Sequence, residues 1–580
     1  MSYLKTRDVI PPSPPRESAL TLTGTPSSKP GSLTAAQEDD EKKGQENDDL
    51  GRTVTTTSIA ADGSIPDGVL TGARLYLVFL ALMFSVFMFA LDQSIVSTAI
   101  PSIVSDFEAF SAVAWIVTAY FLTQCGFILL VGQMLTVFKA KWVLLWAIFF
   151  FELGSLLCAL ANSMTMLIVA RAVQGIGASG MFVSIIAIIS VVTKVEQRAG
   201  FMAGFGFVFV ISSVIGPLLG GVFTEHASWR WCFWINLPFG GVAAAAVLFL
   251  LPARKPDRHH KDQPKTWREA LTKMDWLGSA LVLVFITCLL LALQWGGNDY
   301  PWYNWRIPLL FTLGGVLVIV FFIWEYYYNI NALIPRELLT NRSIVAASGT
   351  CFMLMLAMLG GTYQLPLFYQ AGRGHSAQKS GIDIIPFMVL VCVGIFVSGG
   401  FVTKFGHYWT FIIVGPPIAA IGFGLLFTVR EDTSNAKIIG YQILAGFGIG
   451  LAFQNIILSA QAEYAKRPAL IPQATSVVSF FQLTGAAIGV GIVNTVQSVY
   501  LNTYLHEYAP DAPFEIVRES TSAIATLSDD LKPGVIHAYV LAISKSYLPI
   551  FVALALSVVF GVFIRNHNML KLGVTPGMAV

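Results

Sequence analysis

Residues 75–97 read LYLVFLALMFSVFMFALDQSIVS, an apolar block in which Asp92 is the one charged residue. At about 1.5 Å per residue it can cross a hydrocarbon core of roughly 30 Å. Comparable blocks recur near 112–132, 142–161, 165–191, 202–223, 233–251, 276–295, 307–327, 345–368, 383–402, 409–428, 438–460, 473–497 and 547–564, about fourteen in all. Backbone groups in lipid must be satisfied within their own segment, so each block predicts a helix. The alternating polarity of a barrel strand is absent. The fold class is an all-α polytopic membrane protein.

Composition agrees. The 580 residues are 55% hydrophobic and 12% charged, with a mean hydropathy of +0.67. Soluble domains carry about 25% charged residues, so much of this surface should face lipid. A net charge of +2 gives no sign of a nucleic-acid partner. The six cysteines stand singly in apolar runs and read as small packing residues.

Residues 1–73 are polar and rich in Pro, Ser and Thr, which predicts a disordered tail. The run Pro11–Pro15 fits a ligand for a proline-binding domain or plain solvated chain. No charged n-region precedes an apolar h-region, so the first block is expected to target the chain without cleavage. Basic residues set the orientation. Lys139, Lys141, Lys194, Arg198, Arg336, Arg342, Lys404, Lys466 and Arg467 follow even-numbered blocks, as does the basic loop 252–275. The first two loops on the other side carry Asp106 and Glu108 but no cation. The positive-inside rule then places both termini in the cytoplasm. The sequon at Asn341 falls on that side and should not be glycosylated.

Asp92 lies at membrane depth, where an acid costs about 2.5–3.5 kcal/mol on insertion scales. It suits a reversible proton carrier facing a cavity or partner; the alternative is an acid near the helix end that merely pairs or reaches the interface. Arg171, in LIVARAVQGIGASG, shares a face with Gln174 and Gly175. Arginine keeps its proton, so it attracts an anion, perturbs a neighbouring acid or pairs with backbone carbonyls. Ser212, Gly216 and Gly220 form a small-residue stripe with Pro217 inside it, the mark of a close, kinked helix crossing.

A weak repeat links GQMLTVFKAK from Gly132 with GGFVTKFGHY from Gly399: each has Gly, Thr at +4 and Phe at +6 after an even-numbered block, consistent with duplication. Glu152 and Glu325 read as structural acids. Gly446, Gly450 and Gln454 share one stripe, and Gln482, Gly485 and Gly489 another, each offering an amide to a cavity. Tyr363, Gln364, Tyr369 and Gln370 fit a substrate path or an aromatic belt. No GxxxxGK[ST] phosphate loop is present, so an ion gradient or the substrate's own gradient must drive transport. No Ser-His-Asp arrangement or HExxH motif points to an enzyme.

At these motifs the chain resembles the fourteen-helix drug:proton antiporters of the major facilitator superfamily, common in fungi. LDQSIVSTAIP (91–101), GQMLTVFKAK (132–141), RAVQGIGA (171–178), SSVIGPLLGG (212–221) and WRWCFWINLPFGG (229–241) carry the resemblance, which covers about residues 74–565. It implies two six-helix bundles, 74–251 and 342–565, around a central cavity. Two inserted helices with their linker would occupy 276–341, between the cytoplasmic loop 252–275 and the second bundle. An outer loop would span 498–546 and a cytoplasmic tail 566–580. It also implies proton coupling at Asp92 and Arg171, and an antiporter motif containing Ser212, Gly216, Pro217, Gly220 and Gly221. Gly132 and Lys141 would belong to a gating loop, with Gln174, Tyr363, Gln364, Gln454 and Gln482 as cavity candidates.

Two departures stand out. Thr136 and Val137 replace the usual Asp and Arg of the gating loop, which removes a gating ion pair. Ala203 and Ser212 replace glycines but stay small. The expected function is proton-coupled efflux of a hydrophobic or amphipathic drug, toxin or secondary metabolite by a monomer with no cofactor beyond the proton gradient. Uptake of a siderophore or vacuolar amino acid is the alternative within transport. A non-transporting nutrient sensor would need a larger cytoplasmic region. The end Met578-Ala579-Val580 carries no retrieval motif, so the plasma membrane is the expected location and the vacuolar membrane the alternative.

Overall fold

Among the described residues of the computed structural model, fourteen helices long and apolar enough to cross a membrane follow one another. The structure describes residues 72–107, 113–253, 266–296, 300–514 and 527–572, with Leu70, Val517 and Ile524. The expectations for the N-terminal tail, most of loop 252–275 and the last eight residues lie outside the described residues. The helices are α1 (Gly72–Phe107), α2 (Val113–Val137), α3 (Ala140–Ala159), α4 (Met164–Val192), α5 (Arg198–His226), α6 (Trp231–Leu250) and α7 (Trp276–Trp295). They continue as α8 (Arg306–Tyr328), α9 (Arg342–Arg373), α10 (Ile385–Phe405), α11 (Trp409–Phe427), α12 (Asn435–Glu463), α13 (Ile471–Tyr508) and α14 (Lys532–Val562).

The packing repeats itself. In the first bundle α1 lies on α5 and α6, α4 on α2 and α3, and α3 on α6. In the second, α9 lies on α13 and α14, α12 on α10 and α11, and α11 on α14. Each pair in one half has its counterpart eight helices later. The bundles meet along two matching seams, α2 with α13 and α5 with α10. The inserted α7 and α8 pack on each other, and α7 also rests on α2 and α13.

Burial follows this plan. The apolar window of α4 is 89% buried and that of α12 is 83%, whereas α8 is only 17% buried. The exposed side chains of α8 include Leu309, Leu313, Val316, Ile319 and Ile323, an apolar surface suited to lipid. All six cysteines are buried and free.

Much of the described part of the expected outer loop 498–546 is helix. α13 continues to Tyr508, and α14 begins at Lys532 rather than near 547. Its first part, Lys532–Ser546, hides behind Lys532, His537 and Lys545, which dilute its hydropathy. Pro549 follows the break at Tyr547, because a proline ring cannot continue the donor ladder.

The face bearing Lys139 and Lys404, here the basic face, holds both repeat glycines in the seams. A Cβ on Gly132 would lie 2.0 Å from Ser476 Oγ of α13. A Cβ on Gly399 of α10 would lie 2.5 Å from Ala203 Cβ of α5. The two copies of the repeat therefore close the two seams.

Candidate functional site

α1, α3, α4 and α6 converge on Asp92, which is fully buried. Arg171 Nη1 donates to Asp92 Oδ2 at 2.6 Å, with the guanidinium only 2% exposed. Gln174 Nε2 and Asn236 Nδ2 donate to Asp92 Oδ1 at 2.8 and 3.1 Å. The same two amides donate to Ser155 Oγ at 2.8 and 3.1 Å. One carboxylate thus takes three donors, one of them charged, and a buried ion pair needs such satisfaction to offset its desolvation.

Arg171 is held on its other sides as well. Its Nη1 reaches Gln174 Oε1 at 2.6 Å, and its Nε donates to the Ile116 carbonyl at 3.2 Å. Its guanidinium carbon stands 4.3 Å from the Tyr120 ring centroid, close enough for a cation–π contact. The acid partner and the backbone partner foreseen as alternatives for Arg171 are both present.

The site is tied mechanically to α5. Ser94, two residues after Asp92, donates through Oγ to the Ser212 carbonyl at 3.1 Å. A Cβ on Gly216 would lie 2.0 Å from Ser94 Oγ, and one on Gly220 would lie 2.2 Å from Thr98 Oγ1. The small-residue stripe is thus the bearing surface of α5 on α1. Gly221 does not belong to it: nothing lies within 4 Å of a Cβ built there.

Other expected residues fall elsewhere. Gln174, expected in the cavity, takes part in the Asp92 network: its oxygen accepts from Arg171 and its amide nitrogen donates to Asp92 and Ser155. Lys141, expected in the gating loop, donates to the Leu248 carbonyl at the end of α6 at 2.6 Å, a bond within the first bundle. Gln133, beside Gly132, fastens the inserted pair in its place. It donates to the Asn331 carbonyl at 2.6 Å and accepts from the Asp275 amide at 3.1 Å.

Gln454 on α12 and Gln482 on α13 are buried with unpartnered amide atoms, and Gln454 meets α5 at Gly206. Gln364 joins Asn494 of α13 at 3.2 Å, while Tyr363 is half-exposed. Tyr369 accepts from Gln442 at 3.0 Å. Asn341 caps α9 and donates to Glu463 at 3.1 Å, so its amide is structural.

Sequence reading missed Asn236 and Ser155. Asn236 lay inside the quoted WRWCFWINLPFGG, and a single amide in an apolar helix was the signal for it. At the far end of the same motif, Trp229 Nε1 and Arg230 Nη1 donate to Asp106 at 2.9 and 3.0 Å.

The profile of the Major Facilitator Superfamily matches residues 82–490. The chain belongs to the Major Facilitator Superfamily. It is a multi-pass membrane transporter in consequence, and members of the superfamily bind small molecules within a bilayer. Among its relatives, the MFS-type transporter phomT of Diaporthe leptostromiformis is 38% identical over 513 residues, covering 86% of this chain and 84% of that protein. The efflux pump aflT of Aspergillus parasiticus is 39% identical over 432 residues, covering 74% of this chain and 83% of that one. Among solved structures, the proton:xylose symporter XylE has a TM-score of 0.55 at 12% identity, covering 87% of this chain and 98% of that one. The human organic anion transporter MFSD10 has a TM-score of 0.53 at 14% identity, covering 83% of this chain and all of that one. These two likenesses concern the fold alone.

Proposed function

We propose that this protein exports a hydrophobic or amphipathic small molecule, of the drug, toxin or secondary-metabolite class, in exchange for protons. The buried Asp92–Arg171 pair carries the reading. A proton on Asp92 cancels the attraction that holds α1 to α4. Arg171 then still has the Gln174 oxygen, the Ile116 carbonyl and the Tyr120 face to satisfy it. Release of Asp92 moves Ser94, and Ser94 bears on α5, which forms a seam with α10. A change in one charge is thus handed from the acid to the line along which the bundles rock.

Substrate chemistry follows from the seam. At the α5–α10 seam Gln454 meets Gly206 with both amide atoms unpartnered, and the next residue, Phe207, faces Phe396 of α10 with centroids 4.6 Å apart. Gln482 on α13 also has an unpartnered amide oxygen. Uncharged hydrogen-bonding groups beside aromatic rings suit a neutral molecule with carbonyl or hydroxyl groups. The names of the fungal relatives support export as the direction. In this reading the basic face and both termini lie in the cytoplasm, the membrane is the plasma membrane, the transporter is a monomer, the proton gradient is its energy source, and no covalent bond in the substrate changes.

The test uses inside-out vesicles, an imposed pH gradient and rhodamine 6G as probe. Gradient-driven accumulation should occur with the wild type and vanish with Asp92→Asn, while exchange of probe without a gradient persists. Undiminished gradient-driven accumulation by Asp92→Asn would remove the acid from the mechanism. Flux only in the uptake direction would overturn export.

A further inference from the structure

Glu152 is a second acid beside the Asp92 site, and the hydrogen-bond network passes it by. It lies on α3 three residues before Ser155, one turn away on the same face. Its carboxyl is pressed onto α6, where a Cβ on Gly240 would lie 1.7 Å from Oε1 and 2.3 Å from the carboxyl carbon. Gly240 follows Asn236 by four residues, so one stripe of α6 meets both acids: Asn236 reaches Asp92, and Gly240 makes room for Glu152. The motif WRWCFWINLPFGG is built around this double contact.

The two acids are treated in opposite ways. Asp92 takes three donors, including a guanidinium. Both Glu152 oxygens are closed to solvent and neither has a hydrogen-bond partner. The ionisable and polar groups facing this region are Asp92 from α1, Tyr120 from α2, Arg171 and Gln174 from α4, and Cys232 and Asn236 from α6, with Cys158 on α3 itself. Arg171 is the only cation among them, and it is in contact with Asp92. An ionised carboxyl with no donor is far costlier to bury than the neutral acid.

We propose that Glu152 is a second proton-holding acid: it carries a proton while Asp92 is ionised against Arg171, and gives it to Asp92 as that pair opens. Ser155, one turn from Glu152 on α3, shares both amide donors with Asp92 Oδ1. It becomes the bridge when the opening of the pair brings its hydroxyl within hydrogen-bond reach of both carboxyls. The O–H bond of Glu152 breaks and its proton passes to Ser155 Oγ. The hydroxyl proton of Ser155 passes to Asp92 Oδ1. Glu152 ends as carboxylate and Asp92 as acid, with the total charge unchanged. The reverse transfer restores the starting state. This step rests on the antiport reading above.

The test is infrared spectroscopy of the full chain in lipid nanodiscs, reading the deuterium-sensitive carbonyl stretch of protonated carboxylic acids. At neutral pH a band present in the wild type should be lost in Glu152→Gln and retained in Asp92→Asn. Identical carboxylic-acid spectra for the wild type and Glu152→Gln would overturn the proposal. Gly240→Ala, which keeps the acid but crowds it, should shift the same band; an unchanged band would count equally against the proposal. The Gly240 variant also serves if Glu152→Gln does not fold. In the rhodamine 6G vesicles, Glu152→Gln should lose gradient-driven accumulation and keep exchange without a gradient; accumulation at the wild-type rate and pH profile would also overturn the transfer. If the wild type itself shows no proton drive, the antiport reading fails, and the infrared band still decides the state of Glu152.

Discussion

Gly132 of α2 and Ser476 of α13 touch across the seam between the two bundles, so closely that a Cβ on the glycine would lie 2.0 Å from the serine oxygen and 2.4 Å from its Cβ. The contact joins the bundles and takes part in neither bundle's own core. Gly132→Ala should therefore fold normally but be unable to close the basic face. The expected outcome is loss of transport, with a wider separation between spin labels placed on the basic ends of α2 and α13. Ser476→Gly in the same chain should restore both. Wild-type transport by Gly132→Ala alone would show that this seam need not close.

Asp92→Asn removes the one acid bonded to Arg171 and leaves a buried cation held only by neutral partners, the Gln174 oxygen, the Ile116 carbonyl and the Tyr120 ring. Breaking a buried pair from one side costs about 3–5 kcal/mol. Thermal unfolding of the purified protein should fall accordingly, and Arg171→Gln added to Asp92→Asn should recover most of the loss. An Asp92→Asn protein as stable as the wild type would mean that Arg171 finds full compensation in Gln174, Ile116 and Tyr120.

The helices were legible because lipid imposes one rule on every spanning segment: apolar length with the backbone satisfied inside. The exception, Lys532–Ser546, is instructive, since His537 and Lys545 lower its hydropathy although Val535, Tyr539 and Ile543 are buried. Of the site, Asp92 and Arg171 were visible as charges at membrane depth. Asn236 and Ser155 were not, because one amide or hydroxyl in an apolar helix has no sequence periodicity to say which neighbour it faces. The partners of Gln174 were illegible for the same reason: its face on α4 was known, but the identity of the helices opposite was not. Glu152 was assigned a structural part because nothing in the sequence reveals that Gly240 opens a space for it.

Gly220 and Gly221 are neighbours with opposite expectations. A Cβ on Gly220 would lie 2.2 Å from Thr98 Oγ1 and 2.6 Å from the Ile95 carbonyl, whereas one on Gly221 meets nothing within 4 Å. Gly220→Ala should destabilise by about 1–3 kcal/mol through overpacking and impair transport by prising α5 off α1. Gly221→Ala should be neutral, or stabilising by up to about 1 kcal/mol, because alanine is the better helix former. Thermal unfolding of the two variants checks the sign, and equal effects would mean that the stripe does not bear on α1.

Asp106 ends α1 in a clamp whose pH window lies outside the neutral range. The Trp229 indole first, and the Arg230 guanidinium second, hold its carboxyl below the ordinary value of 3.8. The folded state therefore binds the proton less tightly than the unfolded state. The stabilisation is complete above 3.8 and is lost as the pH falls through the lower folded value. Asp106 and Arg230 are 49% and 33% exposed, so solvent screening limits the pair to less than about 1 kcal/mol. Trp229→Phe removes the larger donor. Its unfolding temperature should run parallel to that of the wild type from neutral pH down to about pH 5, and the gap should narrow only in stronger acid. A gap that closes near neutral pH would show the clamp titrating there. If it stays constant, pH dependence of transport in the neutral range has to come from groups other than this clamp.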